Sequence, residues 1–489
     1  MIENVCALVK LKSLPDNSQD FIFGDPPYAL GSTVYIDTDG KPKYKEAKDF
    51  MNKWEMPDHA YWEEFFKVAE QKLKFGGRIL FFGIDRQLFL FQYYAVAAGL
   101  EIKQSLYWYF ISNFPKATDL SKQIEKRLGV DVIEGGAMVV AGQDGKRIDL
   151  KSPCKQRDYT HNSETELGKK YEGYKYSISP LKQVLETVMV FQKRTKNKSI
   201  LDDVFAFENG DETISPSIWA IDEGRVPTSE EITNHSRGAK SEEHTEKYNL
   251  VSNKQETHQT YGQKLGRYPS QMFIDSTCAS KIDEQSGITK GSDAVRKNNN
   301  FDSTCYGKFA PNESKGFSDE AGASKILHHI GYLDEELDLV FYSPKVSTFE
   351  REHGCGDIEK KEKVFNGCSK TSSVDIKDIE ARFTTAPTSN NHPTLKPIKL
   401  IYQIAKLLKA PFPQNVFFPF SGAGSEIIGF EQAEFNEELF SMSELDVEFV
   451  GIAEARRKAW RELDIDCLDE NKKHLEKRSK EHKRQESLF

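Results

Sequence analysis

The sequence predicts an α/β fold, a sheet with helices on both of its faces, together with a large loop-rich insertion. Short apolar runs alternate with helical patterns in residues 1–128, a long polar stretch follows, and order resumes near residue 392. Strand and helix alternating at such short spacings is typical of an α/β sheet. The chain of 489 residues is long enough for two or three domains, or for one core with an insertion.

The composition narrows the class of protein. Hydrophobic residues make up 38% of the chain and charged residues 29%, and the net charge is -9. No apolar run approaches the roughly 20 residues that span a bilayer, so we expect a cytoplasmic protein without a membrane partner. The seven cysteines lack zinc-site spacing, which predicts reduced thiols and no metal. The negative net charge argues mildly against a non-specific nucleic-acid binder, but it allows a local basic groove.

Residues 1–128 contain the first predicted elements. A buried strand covers 20–24, and a helix begins after Asp58, which is a suitable N-cap. Phe75-Gly76-Gly77 is predicted to end this helix with a glycine turn. The remaining elements predicted in this part are a strand at 78–83, a helix from Asp85 to about Ala98, and a strand at 101–110.

The central part, from residue 129 to about residue 390, is rich in Ser, Thr, Asn, Lys and Glu. It shows little periodicity and by itself cannot bury much surface. Two apolar runs interrupt it, at 184–192 and 337–345, and both are predicted to return to the core as strands.

Regular patterns resume at residue 392. Two prolines introduce a helix that runs to 408, and "NVFFPFSGAGSE" follows as a strand and a glycine-rich turn. "VEFVGIAEARRKAWREL" is predicted to form another strand and then a helix. The last residues, 471–489, are predicted to be a charged, solvated helix or tail.

The glycine turn "FSGAGS" (420–425) is a candidate ligand site. Glycines let a ligand approach the backbone closely, and the N-terminus of a following helix favours polar or anionic groups. The turn is neither a Walker loop nor the full GxGxxG pattern. A tight structural turn is therefore an open alternative.

The stretch "FIFGDPPYALG" (21–31) is the second candidate site. Asp25 follows a predicted strand, at the edge where open α/β sheets bind ligands. Its carboxylate can accept a hydrogen bond, the two prolines leave their carbonyls available, and Tyr28 offers a flat ring. These groups suit an exocyclic amino group on an aromatic ring, although a rigid surface turn would also explain the motif.

Asp25-Pro26-Pro27-Tyr28 resembles the catalytic motif of the DNA amino-methyltransferases, which methylate adenine N6 or cytosine N4. "HPTLKP" (392–397), "FPFSGAGS" (418–425) and "FVGIAEA" (449–455) are similar to later segments of that family, and so is "KLKFGGRILFFG". Residues 108–126, 266–275 and 341–354 resemble phage-type members. The order, with the catalytic motif before the glycine loop, resembles the beta-class permutation.

This resemblance implies a Rossmann-like methyltransferase sheet, S-adenosylmethionine as cofactor, and double-stranded DNA as partner. It implies a catalytic half at 1–128, a target-recognition insertion at 129–336 and a cofactor-binding half at 337–470. Asp25, Pro26 and Pro27 would hold the target amino group, and Tyr28 would stack on a flipped base. The cofactor contacts that it implies are Phe420, Ser421, Gly422, Gly424, His392, Thr394, Lys396 and Pro397, with Glu454 as an acid near the ribose.

Weaker assignments concern the rest of the site. Trp108 or Phe114 would flank the base, although a core role for Trp108 is the stronger alternative. The basic residues of the insertion would contact phosphates or simply be solvated; they are Lys151, Lys155, Arg157, Lys193, Arg194, Lys196 and Lys198. A restriction-modification partner is compatible with the family, and the sequence leaves the oligomeric state open.

Two positions depart from the family's pattern. Phe418 stands where an Asp is usual, and Ala453 stands where an acid normally follows the second cofactor strand, with Glu454 one residue later. Both departures bear on cofactor affinity and leave the catalytic motif intact. Three alternatives to adenine methylation therefore stay open: N4-cytosine methylation, a DNA-binding relative that has lost catalysis, and methylation of RNA or protein amides.

Overall fold

A computed structural model gives the fold. It describes residues 1–28, 34–44, 57–110, 117–130, 163–177, 180–226, 260–274, 346–360, 388–392, 394–463 and 465, with short helices and strands between 234 and 329. The strand predicted at 337–345, the tail at 471–489 and the side chain of Phe114 lie outside these residues.

A ten-stranded sheet forms the centre of the molecule. Its strands are, in chain order, β1 (Glu3–Asn4), β2 (Gln19–Gly24), β3 (Leu73–Gly83), β4 (Glu101–Ile102), β5 (Leu106–Tyr109), β6 (Leu185–Gln192), β7 (Met272–Ile274), β8 (His328–His329), β9 (Val416–Phe418) and β10 (Phe440–Glu444). Their spatial order is β1-β10-β9-β2-β3-β6-β5-β7-β8, and β4 pairs with β6. The pairs from β1 to β3 are parallel, whereas β6 runs antiparallel to both of its neighbours.

Helices lie around this sheet and in the insertion. They are α1 (Ala7–Ser13), α2 (His59–Lys72), α3 (Asp85–Ala97), α4 (Leu120–Arg127), α5 (Glu166–Lys170), α6 (Ile200–Glu208), α7 (Tyr261–Leu265), α8 (Ser276–Ser286), α9 (Thr348–Glu352), α10 (Ile398–Leu408), α11 (Ser425–Gln432) and α12 (Val447–Trp460). Small antiparallel strand pairs, such as Val34–Ile36 with Pro42–Tyr44, lie outside the sheet. The predicted α/β class is confirmed.

Two buried clusters, one on each face of the sheet, hold the core together. Alternate residues of β2 supply both, because Phe21 and Phe23 point to one face and Ile22 to the other. Helix α10 covers the first face and helices α2 and α3 cover the second. Strands covered on both faces read as continuous apolar runs, which explains "FIF" in the sequence.

Helix α2 begins as the sequence predicts and ends differently. The Asp58 carboxylate accepts a hydrogen bond from the Tyr61 N–H at 2.8 Å, which caps the helix. The helix ends at Lys72, and β3 begins at once with Leu73. Gly76 is therefore not a helix terminator. It lies inside β3 at φ +84°, where an added Cβ would come 2.3 Å from the Ser215 carbonyl oxygen.

Two further predictions about strands need correction. Residues 101–110 form two short strands, β4 and β5, instead of one. The run "VEFVG" is not a strand, because 447–460 is one continuous helix, α12, capped by Asp446. The strand that precedes this helix is β10, the shorter and less apolar run "FSMSE".

The strand predicted within the insertion is confirmed, as Leu185–Gln192. It brings residues 194–226 back onto the start of β3. The Arg78 guanidinium donates a hydrogen bond to the Ile218 carbonyl at 2.5 Å and lies 4.8 Å from the Trp219 ring centroid. This part of the insertion is thus packed against the core. Among the described residues, no helix is long and apolar enough to cross a membrane.

Candidate active site

The two candidate motifs meet at the carboxyl ends of neighbouring parallel strands. β2 ends in Gly24 and leads to Asp25, while β9 ends in Phe418 and leads to Pro419. A Cβ added at Gly24 would lie 3.4 Å from the Pro419 ring, so the two turns are in contact. Open parallel sheets bind their ligands at this edge, where two neighbouring strands diverge.

One carboxylate oxygen of Asp25 has no hydrogen-bond partner among the described residues. Its Oδ2 accepts a hydrogen bond from Lys396 Nζ at 2.5 Å, while the buried Oδ1 has no hydrogen-bond partner among the described residues. The Pro27 carbonyl accepts from Gln87 Nε2 at 2.7 Å, and no described donor contacts the Pro26 carbonyl. The acceptors that remain at this turn are therefore Asp25 Oδ1 and the Pro26 carbonyl.

Lys396 joins Asp25 to two further groups. Its Nζ lies 3.1 Å from the Tyr28 hydroxyl and 3.1 Å from Glu186 Oε1. The Tyr28 hydroxyl in turn donates a short hydrogen bond to Glu186. Glu186 belongs to β6, inside the insertion, and sequence reasoning missed it. A single acid in the apolar run "LETVMVFQ" was the available signal, because a charge rarely lies unpaired in a buried strand.

Burial and charge shift the pKa values of this cluster in ways that follow from the contacts. Burial raises the pKa of Asp25; the Lys396 ammonium opposes this and Glu186 adds to it. For Lys396, burial favours the neutral amine, yet Asp25 and Glu186 outweigh it and the pKa is raised. Burial raises the pKa of Glu426, in the first turn of α11, to about 7. The site is thus an acidic pocket with one ammonium at its centre.

The glycine turn forms a backbone cradle beside this cluster. Gly422 and Gly424 have φ values of +48° and +81°, in the left-handed region that favours glycine. A Cβ on Gly422 would lie 2.8 Å from His392 Nε2, and one on Gly424 would lie 3.1 Å from the Ala453 Cβ. Side chains at either position would fill the cradle and displace these neighbours.

An acidic side chain lies at the end of β10, next to the cradle. Glu444 Oε2 accepts from the Gly422 N–H at 2.7 Å, and its Oε1 accepts from the Asp446 N–H at 2.9 Å. The Leu445 N–H also interacts with this carboxylate, and since a carboxylate has about four acceptor positions, capacity for a further donor remains. Burial raises the pKa of Glu444. This residue was missed because the strand itself was assigned to the wrong segment.

Glu454 does not hold the predicted position at a strand end. It lies on α12, where its carboxylate accepts from the Ile2 N–H at 2.6 Å and pairs with Arg457 at 3.3 Å. Ala453 does not occupy a position where an acidic side chain would fit. It is fully buried against Gly424, and a larger side chain would clash there. Phe418 packs among Phe23, Phe430 and Phe440, so an aromatic cluster occupies the position usual for an Asp.

A buried network supports the cradle from behind. Arg456 donates a short hydrogen bond to the Ala423 carbonyl and a 3.0 Å bond to the Glu350 carbonyl. Glu350 Oε1 accepts from the Ile398 N–H at 2.5 Å, at the start of α10. Burial raises the pKa of Glu350 to about 7, against the lowering influence of the Ile398 N–H and Arg456. Helix α9 therefore links the glycine turn to the segment that carries Lys396.

The "HPTLKP" segment is held by α9 as well. Arg351 donates to the His392 carbonyl at 2.6 Å, and the His392 ring lies edge-on to Phe449 at 4.7 Å. This places His392 beside Gly422. Thr394 is exposed, and Pro397 precedes the first turn of α10. Within the described residues, no group of three or more His, Cys, Asp or Glu side chains could hold a metal ion.

Other predicted site residues pack within the protein core or bond to other parts of the chain. Trp108 is a core residue, 2% exposed. Phe420 packs against Trp62, Phe65 and Phe81, and Ser421 is buried, bonding to the Ser443 and Phe418 carbonyls. Lys193 is buried too, with its ammonium bound to Asn17 and two carbonyls, which removes it from the candidate phosphate contacts.

The sheet order and the paired turns at its edge define an open α/β protein with a ligand site at the carboxyl ends of its parallel strands. A family model described as N6_N4_Mtase, DNA methylase, matches residues 19–454, so the chain belongs to this family of DNA methyltransferases. A comparison with curated proteins found no match.

Solved structures give distant likenesses. The PvuII DNA methyltransferase (cytosine-N4-specific) is 12% identical, with a TM-score of 0.35, covering 93% of this chain and 85% of that one. A complex of M1.HpyAVI with SAM is also 12% identical, with a TM-score of 0.32, covering 93% and 98%. The strand order described above, and not these likenesses, supports the fold.

Proposed function

We propose that this protein is a site-specific DNA methyltransferase that transfers a methyl group from S-adenosylmethionine to the N6 amino group of adenine in duplex DNA. The observation that carries the proposal is a pair of acceptors: Asp25 Oδ1, which has no hydrogen-bond partner among the described residues, and the neighbouring Pro26 carbonyl. They lie at the end of β2, next to the glycine cradle. The order of the catalytic motif and the cradle along the chain accords with the beta-class, phage-type DPPY subgroup.

These two acceptors match the two hydrogens of an exocyclic amino group. The lone pair of such a nitrogen is delocalised into the ring, which makes it a poor nucleophile. Hydrogen bonds to Asp25 Oδ1 and the Pro26 carbonyl favour a tetrahedral nitrogen whose lone pair is free to attack. The catalysis required is positioning and electrostatic stabilisation, with little acid–base machinery.

A duplex hides the amino group within its base pair, so the adenine must be flipped out. Tyr28 would then stack on the flipped base, since its hydroxyl is anchored by Lys396 and Glu186. In this proposal residues 1–128 supply the acceptor site, 337–470 supply the cofactor site, and 129–336 dock on the DNA and select the sequence.

The residues at the cradle fit S-adenosylmethionine, whose sulfonium supplies an electrophilic methyl group. Gly422 and Gly424 leave room for a ligand at the backbone, because a Cβ on either would meet His392 or Ala453. Glu444, at the strand end, has acceptor positions left for the ribose hydroxyls. The acidic pocket around Asp25 and Glu426 suits the positive charge of the sulfonium.

The identity of the base is tested by expressing the protein in a methylation-deficient host. We expect digests of the DNA to contain N6-methyladenine in one sequence context, and sequencing of single molecules to give that context. Methylcytosine without methyladenine would overturn the adenine assignment, because the same acceptors can hold a cytosine N4 amino group. Methyl transfer to RNA alone would overturn the DNA assignment.

We expect Glu444→Gln to weaken S-adenosylmethionine binding by about 10-fold or more, since an amide cannot replace a carboxylate in two charge-assisted hydrogen bonds. Calorimetric titration measures the change in Kd. Glu454→Gln is the matched control and should leave Kd within about threefold. If Glu454→Gln weakened binding more than Glu444→Gln, Glu454 would be the residue that binds the ribose.

A further inference from the structure

The ammonium of Lys396 has three N–H donors and meets three acceptors from three parts of the chain. They are Asp25 Oδ2, the Tyr28 hydroxyl and Glu186 Oε1, at 2.5, 3.1 and 3.1 Å. The Lys396 side chain is 3% exposed. Its donor capacity is therefore filled within the protein.

This geometry sets the orientations of both Asp25 and Tyr28. Because Lys396 holds Asp25 Oδ2, the carboxylate presents Oδ1 as its remaining acceptor. The same ammonium and Glu186 hold the Tyr28 hydroxyl from two sides, so the ring has one orientation. One cation thus sets both the acceptor for the amino group and the platform for the base.

We propose that Lys396 and Glu186 form a positioning pair for methyl transfer, in which Lys396 orients the Asp25 carboxylate and Glu186 holds Lys396 in place. The inference rests on the proposed function and assigns roles to two residues outside the Asp-Pro-Pro-Tyr motif. It also moves Lys396 from the cofactor contacts that the sequence predicted to the acceptor side of the site.

The charges around Asp25 explain why a cation is needed there. Lys396 faces it from the segment before α10, Glu186 from β6, Tyr28 from its own turn and Glu426 from the first turn of α11. Burial and the neighbouring carboxylates favour the protonated acid, and Lys396 opposes them. A protonated Asp25 would offer an O–H donor where the amino group requires an acceptor.

The test compares Lys396→Met and Glu186→Gln with wild type in single-turnover methyl transfer across a range of pH. For Lys396→Met we expect a rate reduced about 100-fold at neutral pH, with S-adenosylmethionine Kd changed less than about threefold. The acidic limb of its rate profile should rise by about one pH unit or more, since Asp25 loses its cation. Glu186→Gln should show the same pattern, with a rate reduced about 10-fold.

Lys409→Met is the matched control, because Lys409 forms a surface pair with Glu434 at 2.7 Å. It should change neither the rate nor the acidic limb. The inference is overturned if Lys396→Met loses cofactor affinity while its rate at saturating cofactor is normal, which would make Lys396 a cofactor residue. An unshifted acidic limb would also overturn it.

A second measurement separates this inference from the proposed function. Without Lys396, the folded-state pKa of Asp25 rises further above its unfolded value, so stability falls as pH rises through that range. The loss of Tm in Lys396→Met should therefore grow as pH rises above the ordinary range of an Asp carboxyl, and adding Glu186→Gln should recover part of it. A loss independent of pH would overturn the pair. If wild type methylates no nucleic acid, the proposed function fails, whereas this readout still decides the pairing.

Discussion

Asp25→Ala is expected to reduce methyl transfer by about 10³-fold or more while the protein still binds S-adenosylmethionine. The substitution removes Oδ1, which has no hydrogen-bond partner among the described residues, and leaves the residues of the glycine cradle unchanged. Lys396 keeps Glu186 as a partner at 3.1 Å, so no buried cation is left without a counter-charge. Single-turnover transfer of labelled methyl to DNA measures the rate, and calorimetry measures the cofactor affinity.

Two further variants test whether the loss of activity is specific to the Asp25 carboxylate. Asp25→Asn keeps the volume but turns one acceptor into a donor, and it should lose most of the activity. Asp16→Ala removes a surface carboxylate that pairs with Lys72 and should change nothing. An Asp25→Ala protein that retained activity within about 10-fold would contradict a role for this carboxylate in holding the amino group.

Arg456→Met is expected to lower the free energy of unfolding by about 3–5 kcal/mol and to weaken cofactor binding in the remaining folded protein. The guanidinium is fully buried, and its removal leaves the Ala423 and Glu350 carbonyls without these donors. Because Ala423 lies between the two cradle glycines, the shape of the cradle changes as well. Urea denaturation and calorimetric titration measure the two effects.

The same variant has a predictable pH dependence. Arg456 lowers the pKa of Glu350, which burial has raised to about 7, so its loss raises that pKa further. Below pH 6 Glu350 is mostly protonated with or without Arg456, whereas near pH 8 its ionisation becomes more costly. The destabilisation should therefore be larger at pH 8 than at pH 6. Arg461→Met, at a half-exposed ion pair, should cost less than about 1 kcal/mol at either pH.

Sequence reasoning found the elements whose signals are local. Asp58 marks the start of α2, the apolar run before Asp25 marks β2, and paired glycines mark the cradle. It failed on "VEFVGIAEA", where β-branched and aromatic residues suggest a strand but the segment is helical. Short apolar runs of this kind fit either structure, and the neighbouring strand "FSMSE" has only two strongly apolar residues in the five.

The missing site residues depend on contacts that sequence spacing does not reveal. Glu186 lies 161 residues after Asp25 along the chain (186 − 25), and it reaches the site because β6 pairs antiparallel with β3. Glu444 lies at the end of β10, a strand whose sequence lacks a clear apolar pattern. The Asp-Pro-Pro-Tyr and glycine motifs were predictable because each is contiguous, whereas the ion pairs that orient them join distant segments.

The position of β6 inside the central part of the chain limits how such a protein can be re-engineered. A chimera that exchanged all of residues 129–336 for another specificity region would delete Glu186 and the segment whose Trp219 packs against Arg78. Under the proposed function, such a chimera would lose part of the reaction centre along with the original target preference. Exchange boundaries that retain residues 180–226 keep the centre whole, so target choice can change while the chemistry is preserved.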